Sequence, residues 1–149
     1  MDLKERLKVY EGTISYQQSR GYFRQGKFYP YKDSLGYLTV GYGHLITSTE
    51  KFQNGLTPVE ADTLLDKDIA NARAGLQRLN LGKLAPDIED YLVIMIFQLG
   101  FNGVSKFKKL LAAASRTDRD GIRRESVDSL WYRQTPNRVN DMNKQLRGN

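Results

Sequence analysis

The chain contains no cysteine, a single histidine, one tryptophan and four prolines in 149 residues. Without cysteine there is no disulfide framework and no thiolate metal site, although the compartment stays open, because a cytosolic chain and a cysteine-free secreted one look alike here. One histidine and no cysteine also exclude the common zinc sites. A Ser-His-Asp hydrolase would have to use His44 as its base, and the G-x-S-x-G elbow that marks one fold using that triad does not occur. Nucleotide loops are missing too. "GYGHLI" (41–46) lacks the third glycine of a dinucleotide loop, and there is no G-K-[ST] phosphate loop. The longest wholly apolar stretch, "LVIMIF" (92–97), is far too short to cross a bilayer, so no stable membrane insertion is expected. The first residues, "MDLKERLKVYEG", alternate charged and apolar side chains and lack the apolar run of a secretory signal.

What is present fits one folded domain, or one domain with two lobes. Forty per cent of the residues are apolar, enough for a real core at this length. The net charge of +6 implies attraction to something anionic: nucleic acid, anionic lipid or bacterial cell wall. Lysines and arginines are spread along the chain, and no basic run exceeds two residues. That argues against nucleic acid, which prefers a clustered basic stripe.

Residues 2–10 fit a short amphipathic helix, with Leu3, Leu7 and Tyr10 on one face. From Thr13 to about Ile46 glycines and aromatics are dense and helical spacing disappears, which reads as a small antiparallel sheet of hairpins. "RQGK" (24–27) and "DSLG" (33–36) are its expected turns. "TPVE" (57–60) then combines a threonine cap, a proline at the first helical position and a glutamate three residues after the cap. The helix it starts carries Leu65, Ile69, Ala72, Leu76 and Leu79 in one stripe and is expected to run from about 58 to 79. Residues 87–100 are apolar almost all round, as in a helix at the centre of a core. Shorter helices are expected near 103–114, 118–129 and 136–147. There are no repeats and no alternation of strand and helix, which argues against a parallel nucleotide-binding sheet.

Carboxylate chemistry remains. Glycoside hydrolysis needs one carboxyl group that keeps a proton for the leaving oxygen and a second that stays ionised to activate water or attack the sugar. Glu11 closes the first helix before Gly12 and is placed for the first role, and Asp33 at a hairpin turn for the second. Seventeen acidic residues offer many such pairs, so spacing alone does not select this one.

Five blocks select it. "EG" at 11 and "YKDSLGYLTVGYGHLIT" at 31–47 are followed in order by "TPVEADTLLDKDI" (57–69), "MIFQLGFNGVSKF" (95–107) and "SLWYRQTPNR" (129–138). Together they resemble the T-even bacteriophage lysozymes, the phage-type muramidases and endolysins that cleave peptidoglycan. The resemblance implies an α+β, lysozyme-like fold, with a small antiparallel β lobe and a larger helical lobe joined by a long helix. On this reading residues 1–149 form one domain. The β lobe spans about 13–56, the joining helix about 58–79, and the helical lobe about 80–149 together with helix 2–11.

The resemblance further implies Glu11 as general acid, Asp33 as the base that positions water, and Thr39 as the residue holding that water. Inversion at the sugar carbon needs the two carboxyls roughly 6.5–9.5 Å apart. Leu45, Phe97 and Gln98 match substrate-binding positions. His44 with Asp68 and Arg138 match supporting ones, the histidine as a brace whose charged form an aspartate favours. Each has a plainer explanation too: Asp33 a turn aspartate, Thr39 a strand former, Phe97 core. No metal and no cofactor are implied. The expected partner is bacterial peptidoglycan, with no nucleic acid, and the expected state is a monomer. The expected setting is the host cytoplasm until lysis, acting on the periplasmic cell wall, or else a virion or tail. A lytic transglycosylase and a non-catalytic wall-binding module on a lysozyme scaffold are the competing functions.

One departure stands out. Twenty-one residues separate Glu11 from Asp33, about thirteen more than the resemblance leads one to expect. The extra stretch, within "TISYQQSRGYFRQGKFYP", carries Arg20, Arg24 and Lys27 among five aromatics and no acidic residue. It fits either a longer hairpin whose aromatics pack on one another or an added wall that touches the anionic stems of peptidoglycan.

Overall fold

In a computed structural model of the chain, residues 1–147 are described. They fall into two compact units, the first Met1–Ala70 and the second beginning at Asn71. The helical lobe expected to reach 149 has its last two positions outside the described residues.

The first unit opens with α1 (Leu3–Glu11), capped by Asp2, whose side chain accepts the Glu5 N–H at 2.9 Å. Leu3 and Leu7 are its buried face. A second helix, α2 (Ile14–Ser19), follows at once, with Thr13 as its cap. This corrects the expectation of sheet from Thr13 onward. Thr13 accepts from the Tyr16 N–H, so a single turn of helix is nucleated inside the glycine- and aromatic-rich stretch. Two sheets come next. β1 (Phe23–Arg24) and β2 (Lys27–Phe28) pair antiparallel across the "RQGK" turn. Gln25 and Gly26 both have positive φ there, the geometry that matches strand twist in a two-residue hairpin loop. β3 (Tyr31–Lys32), β4 (Leu38–Val40) and β5 (His44–Leu45) form a three-stranded antiparallel sheet in that order. Phe28 is fully buried and exchanges two backbone hydrogen bonds of 2.8 Å with Leu56, which ties the first hairpin to the segment before the next helix.

That helix, α3 (Pro58–Arg78), starts where the "TPVE" signature puts it. Thr57 N–H donates to Glu60 Oε1 at 2.9 Å, and Glu60 N–H donates to Thr57 Oγ1 at 3.2 Å, a reciprocal capping box. Ala61, Leu65 and Ile69 are buried in the first unit with Leu3, Leu7, Phe28, Val40 and Tyr42.

The second unit is helical throughout its described residues. α4 (Pro86–Ser105) buries six consecutive side chains, Tyr91 to Ile96, which is why no apolar stripe can be seen in its sequence. Gly100 leaves helical geometry and kinks α4 where the expected helix 87–100 ends; the segment expected over 103–114 is divided between the end of α4 and α5 (Lys108–Ser115). α6 (Arg119–Val127), α7 (Leu130–Gln134) and α8 (Pro136–Gln145) complete the unit. Trp131 meets Tyr91 and Phe107 edge to face at 6.2 and 6.1 Å. Asp87 takes two hydrogen bonds from Arg119, at 2.7 and 2.8 Å, and one from the Arg147 N–H. The Arg119 guanidinium holds the Asp87 carboxyl well below the usual carboxylate range.

Candidate active site

Glu11 is the last residue of α1, and Gly12 caps it by donating its N–H to the Lys8 carbonyl at 3.0 Å. The Glu11 carboxyl lies directly against Gly43, in the β4–β5 turn. A Cβ built on Gly43 would stand 2.6 Å from Glu11 Oε1, and φ at Gly43 is +79°, so glycine is required twice over. The end of α1 and the β4–β5 turn are also joined by a residue that sequence reasoning missed. Gln17, on α2 and only 1% exposed, donates its amide to the Gly12 carbonyl at 2.9 Å and to the Gly41 carbonyl at 2.8 Å. No local signal marks it, because its value depends on where two distant carbonyls meet.

Strand register gathers the next residues. Tyr31 pairs with Thr39, and Thr39 with Leu45, so the three side chains form a row across one face of the sheet. Thr39 in the middle is 5% exposed, and its hydroxyl donates to the Tyr37 carbonyl at 3.1 Å. Leu45 at the edge is 55% exposed, an unusual position for a leucine that only packs. Asp33 follows β3. Its Oδ1 accepts the N–H groups of Leu35 and Tyr37, both at 2.9 Å, and its carbonyl accepts the Gly36 N–H at 3.0 Å. The aspartate thus closes the "DSLG" turn with Oδ1; the turn does not use Oδ2.

Tyr31 links the two carboxylates. Burial pushes its phenol up to about 12, and the negative charges of Glu11 and Asp33 add to that shift. Both acids therefore lie within electrostatic reach of a single hydroxyl. Tyr31 was not singled out beforehand, and its place in "YKD" two residues before Asp33 was the available clue.

His44 lies on the opposite face, paired with Val40. Its Nδ1 is 2.8 Å from Asp68 Oδ2, the partner expected from sequence. Its Nε2 is 2.9 Å from Glu50 Oε1, a second partner that was not expected. The bond to Asp68 raises the histidine's pKa above its ordinary value; burial opposes it, and the lesser contribution of the bond to Glu50 adds to the rise. Glu50 was legible in principle, since "TSTE" (47–50) has the form of a capping box and Thr47 N–H does donate to Glu50 Oε1 at 2.9 Å.

Three expected site residues belong to the second unit. Phe97 follows the fully buried run of α4 and is itself only partly buried. The Gln98 amide is engaged at both ends, accepting from Trp131 Nε1 at 2.9 Å and donating to Thr135 Oγ1 at 3.4 Å, so it braces α7. Arg138 sits, partly buried, in the first turn of α8.

Compared with known proteins, residues 23–145 match the model of the phage lysozyme family. The chain belongs to that family. The chain is similar to probable T4-type lysozyme 1 of Dictyostelium discoideum, 28% identical over 136 residues that cover 74% of this chain and 80% of that one. Probable T4-type lysozyme 2 of the same organism is 27% identical over 164 residues, covering 93% and 89%. The pre-baseplate central spike protein Gp5 of Enterobacteria phage T4 is 30% identical over 136 residues, 73% of this chain but 23% of Gp5. The lysozyme-like α+β fold read from the sequence is thereby borne out, and the protein is a glycoside hydrolase of the broad class that degrades peptidoglycan. The family match begins at Phe23, so Glu11 and all of α2 lie outside the matched stretch.

Proposed function

We propose that this phage lysozyme is a muramidase that cleaves the β-1,4 bond between N-acetylmuramic acid and N-acetylglucosamine with inversion. Glu11 is the general acid and gives its proton to the leaving glycosidic oxygen. Asp33 is the base. An attacking water must have both hydrogens held by acceptors so that a lone pair faces the sugar. Asp33 Oδ2 supplies one acceptor. Thr39 supplies the other, since its own proton goes to the Tyr37 carbonyl and leaves its oxygen to accept. The water's proton then passes to Asp33 as the bond to the sugar forms, and the leaving oxygen takes the proton of Glu11.

The observation that carries this reading is the Glu11 carboxyl lying against Gly43 in the β4–β5 turn, on the sheet that presents the Tyr31–Thr39–Leu45 row and leads into the Asp33 turn. Leu45 is the apolar contact for a sugar, and His44 with Asp68 is a brace behind the sheet. Phe97 and Gln98 are further substrate contacts and Arg138 a supporting cation. Residues 1–149 act as one domain. The similarity to Gp5, a baseplate spike protein, supports a virion or tail as the setting of the activity, with the host cytoplasm as the other.

Digestion of purified peptidoglycan tests the reaction. Products ending in reducing muramic acid, with the α configuration when first released, are expected, and Asp33→Asn is expected to lower kcat by about 100-fold or more. Anhydro-muramic products, together with an active Asp33→Asn, would replace hydrolysis by transglycosylation. Wall binding with no cleavage would leave a binding module.

A further inference from the structure

The extra segment between Glu11 and Asp33 is not a floppy loop. α2 is capped, Tyr22 N–H donates to the Gln17 carbonyl at 2.9 Å, and Tyr29 N–H donates to the Tyr22 carbonyl at 2.8 Å. That last bond extends the β1–β2 register by one pair, because Phe23 faces Phe28 and Arg24 faces Lys27. The hairpin is therefore two-faced. Its inner face is Phe23 and Phe28, in edge contact with each other at 4.8 Å, and Phe28 is fully buried against Tyr42. Its outer face is Tyr22, Arg24, Lys27 and Tyr29.

Within the first unit the cations of that outer face donate to neutral groups: Arg24 Nη1 to the Gly21 carbonyl at 3.0 Å and Lys27 Nζ to the Asn54 carbonyl at 3.3 Å. Arg20, Arg24, Lys27 and Lys32 all lie between Glu11 and Asp33, and no acidic residue does. Among the described residues none of the four forms an ion pair. The arginines rest on rings instead, Arg24 4.0 Å from the centroid of Tyr29 and Arg20 5.9 Å from that of Tyr22. A guanidinium laid on a ring keeps its charge, and with five N–H groups Arg24 has others to give besides the Nη1 bond to Gly21. Tyr22 in turn stacks flat on Tyr31, 4.1 Å between centroids and 6° between planes. Tyr31 is the residue that both catalytic candidates act on. The ring stack thus leads from Tyr31 to Arg20, while Arg24 rests on Tyr29, the cross-strand partner of Tyr22.

We propose that this outer face, with Arg20 and Arg24 as its charged contacts, is a subsite for the carboxylates of the peptide stem carried by the muramic acid next to the cleaved bond. The inference rests on the peptidoglycan-hydrolase reading of the site. Stems are the anionic part of that polymer closest to the scissile linkage, and planar guanidinium groups suit carboxylates. The subsite makes the enzyme prefer stem-bearing glycan over naked glycan.

The test compares kcat/KM on purified peptidoglycan with intact stems and on the same glycan after enzymatic removal of the stems. Wild type is expected to favour the stem-bearing substrate. In the double variant Arg20→Gln, Arg24→Gln that preference is expected to fall about tenfold, mostly through KM. The Arg20→Lys, Arg24→Lys variant, which keeps the charge but not the planar fork, is expected to restore only part of it, and salt to erode the preference in wild type but not in the glutamine variant. The ratio is internal to each preparation, so partial misfolding does not imitate the result. An unchanged ratio, or equal losses on both substrates, would overturn the subsite while leaving the hydrolase reading intact. Failure of wild type to cleave either substrate would remove the hydrolase reading and the subsite with it.

Discussion

The two units of this lysozyme hold themselves together by different means. The second relies on apolar burial: six consecutive side chains of α4 out of solvent, with Trp131 wedged between Tyr91 and Phe107. In the first unit every strand is two or three residues long. Ladders so short contribute few bonds. Beside its apolar residues, polar side chains tie the sheet in place: Gln17 bridging two carbonyls, Asp33 closing its turn, and His44 held between Asp68 and Glu50. The difference is instructive because carboxylate chemistry needs fixed polar atoms near water, which an oily core cannot offer. The unit with the less apolar architecture is the one that carries the catalytic candidates.

Substitutions should expose the contrast. Leu92→Ala, in the fully buried α4, is expected to cost about 3–5 kcal/mol and to lower the melting temperature by roughly 10 °C, measured by calorimetry. A change below about 1 kcal/mol would mean that the second unit is not held by its apolar interior. Gly43→Ala puts a methyl group where Glu11 Oε1 lies and strains a backbone at φ +79°. Turnover is expected to fall about 100-fold for a stability loss of about 1–2 kcal/mol. Near-normal turnover would show that the seat of Glu11 is not set by this turn.

Asp68→Asn gives the smallest effect and the most diagnostic one. His44 has a raised pKa when folded, so its contribution to stability is full below the unfolded value of about 6.5 and is lost as pH rises through the folded value. Wild type should therefore lose stability as pH rises above about 6.5, beyond any change seen in the variant, as followed by its melting temperature across pH. Parallel pH profiles for the two proteins would rule the brace out.

Local signals carried much of the fold. The "TPVE" box, the "RQGK" turn and the "DSLG" turn each appear where residue chemistry dictates, because their hydrogen bonds close within four residues. α2 was missed because a six-residue helix has no room for an apolar period, and only the Thr13 cap announces it. The helix expected to end at residue 100 does meet non-helical geometry at Gly100, although only a kink separates it from the residues that follow. In the site, Glu11, Asp33 and Thr39 were named from the resemblance, and His44 was matched to Asp68 in the same way. The site roles of Gln17, Tyr31 and Glu50 carry no such local signal, since each matters through partners 5 to 24 residues away, or through the field of groups elsewhere in the unit. Asp33 shows the limit of such reading: a turn aspartate and a catalytic one have the same local sequence, and the hydrogen bonds to its Oδ1 serve both.

The initial rate of peptidoglycan clearing by Glu11→Gln, against wild type at equal concentration of folded protein, tests the central claim most directly. Glutamine keeps the shape of the side chain but has no acidic proton to give, so a rate loss of about 1,000-fold or more is predicted, with a melting temperature close to that of wild type. Clearing within about tenfold of wild type would mean that the proton comes from elsewhere, and the account would be wrong.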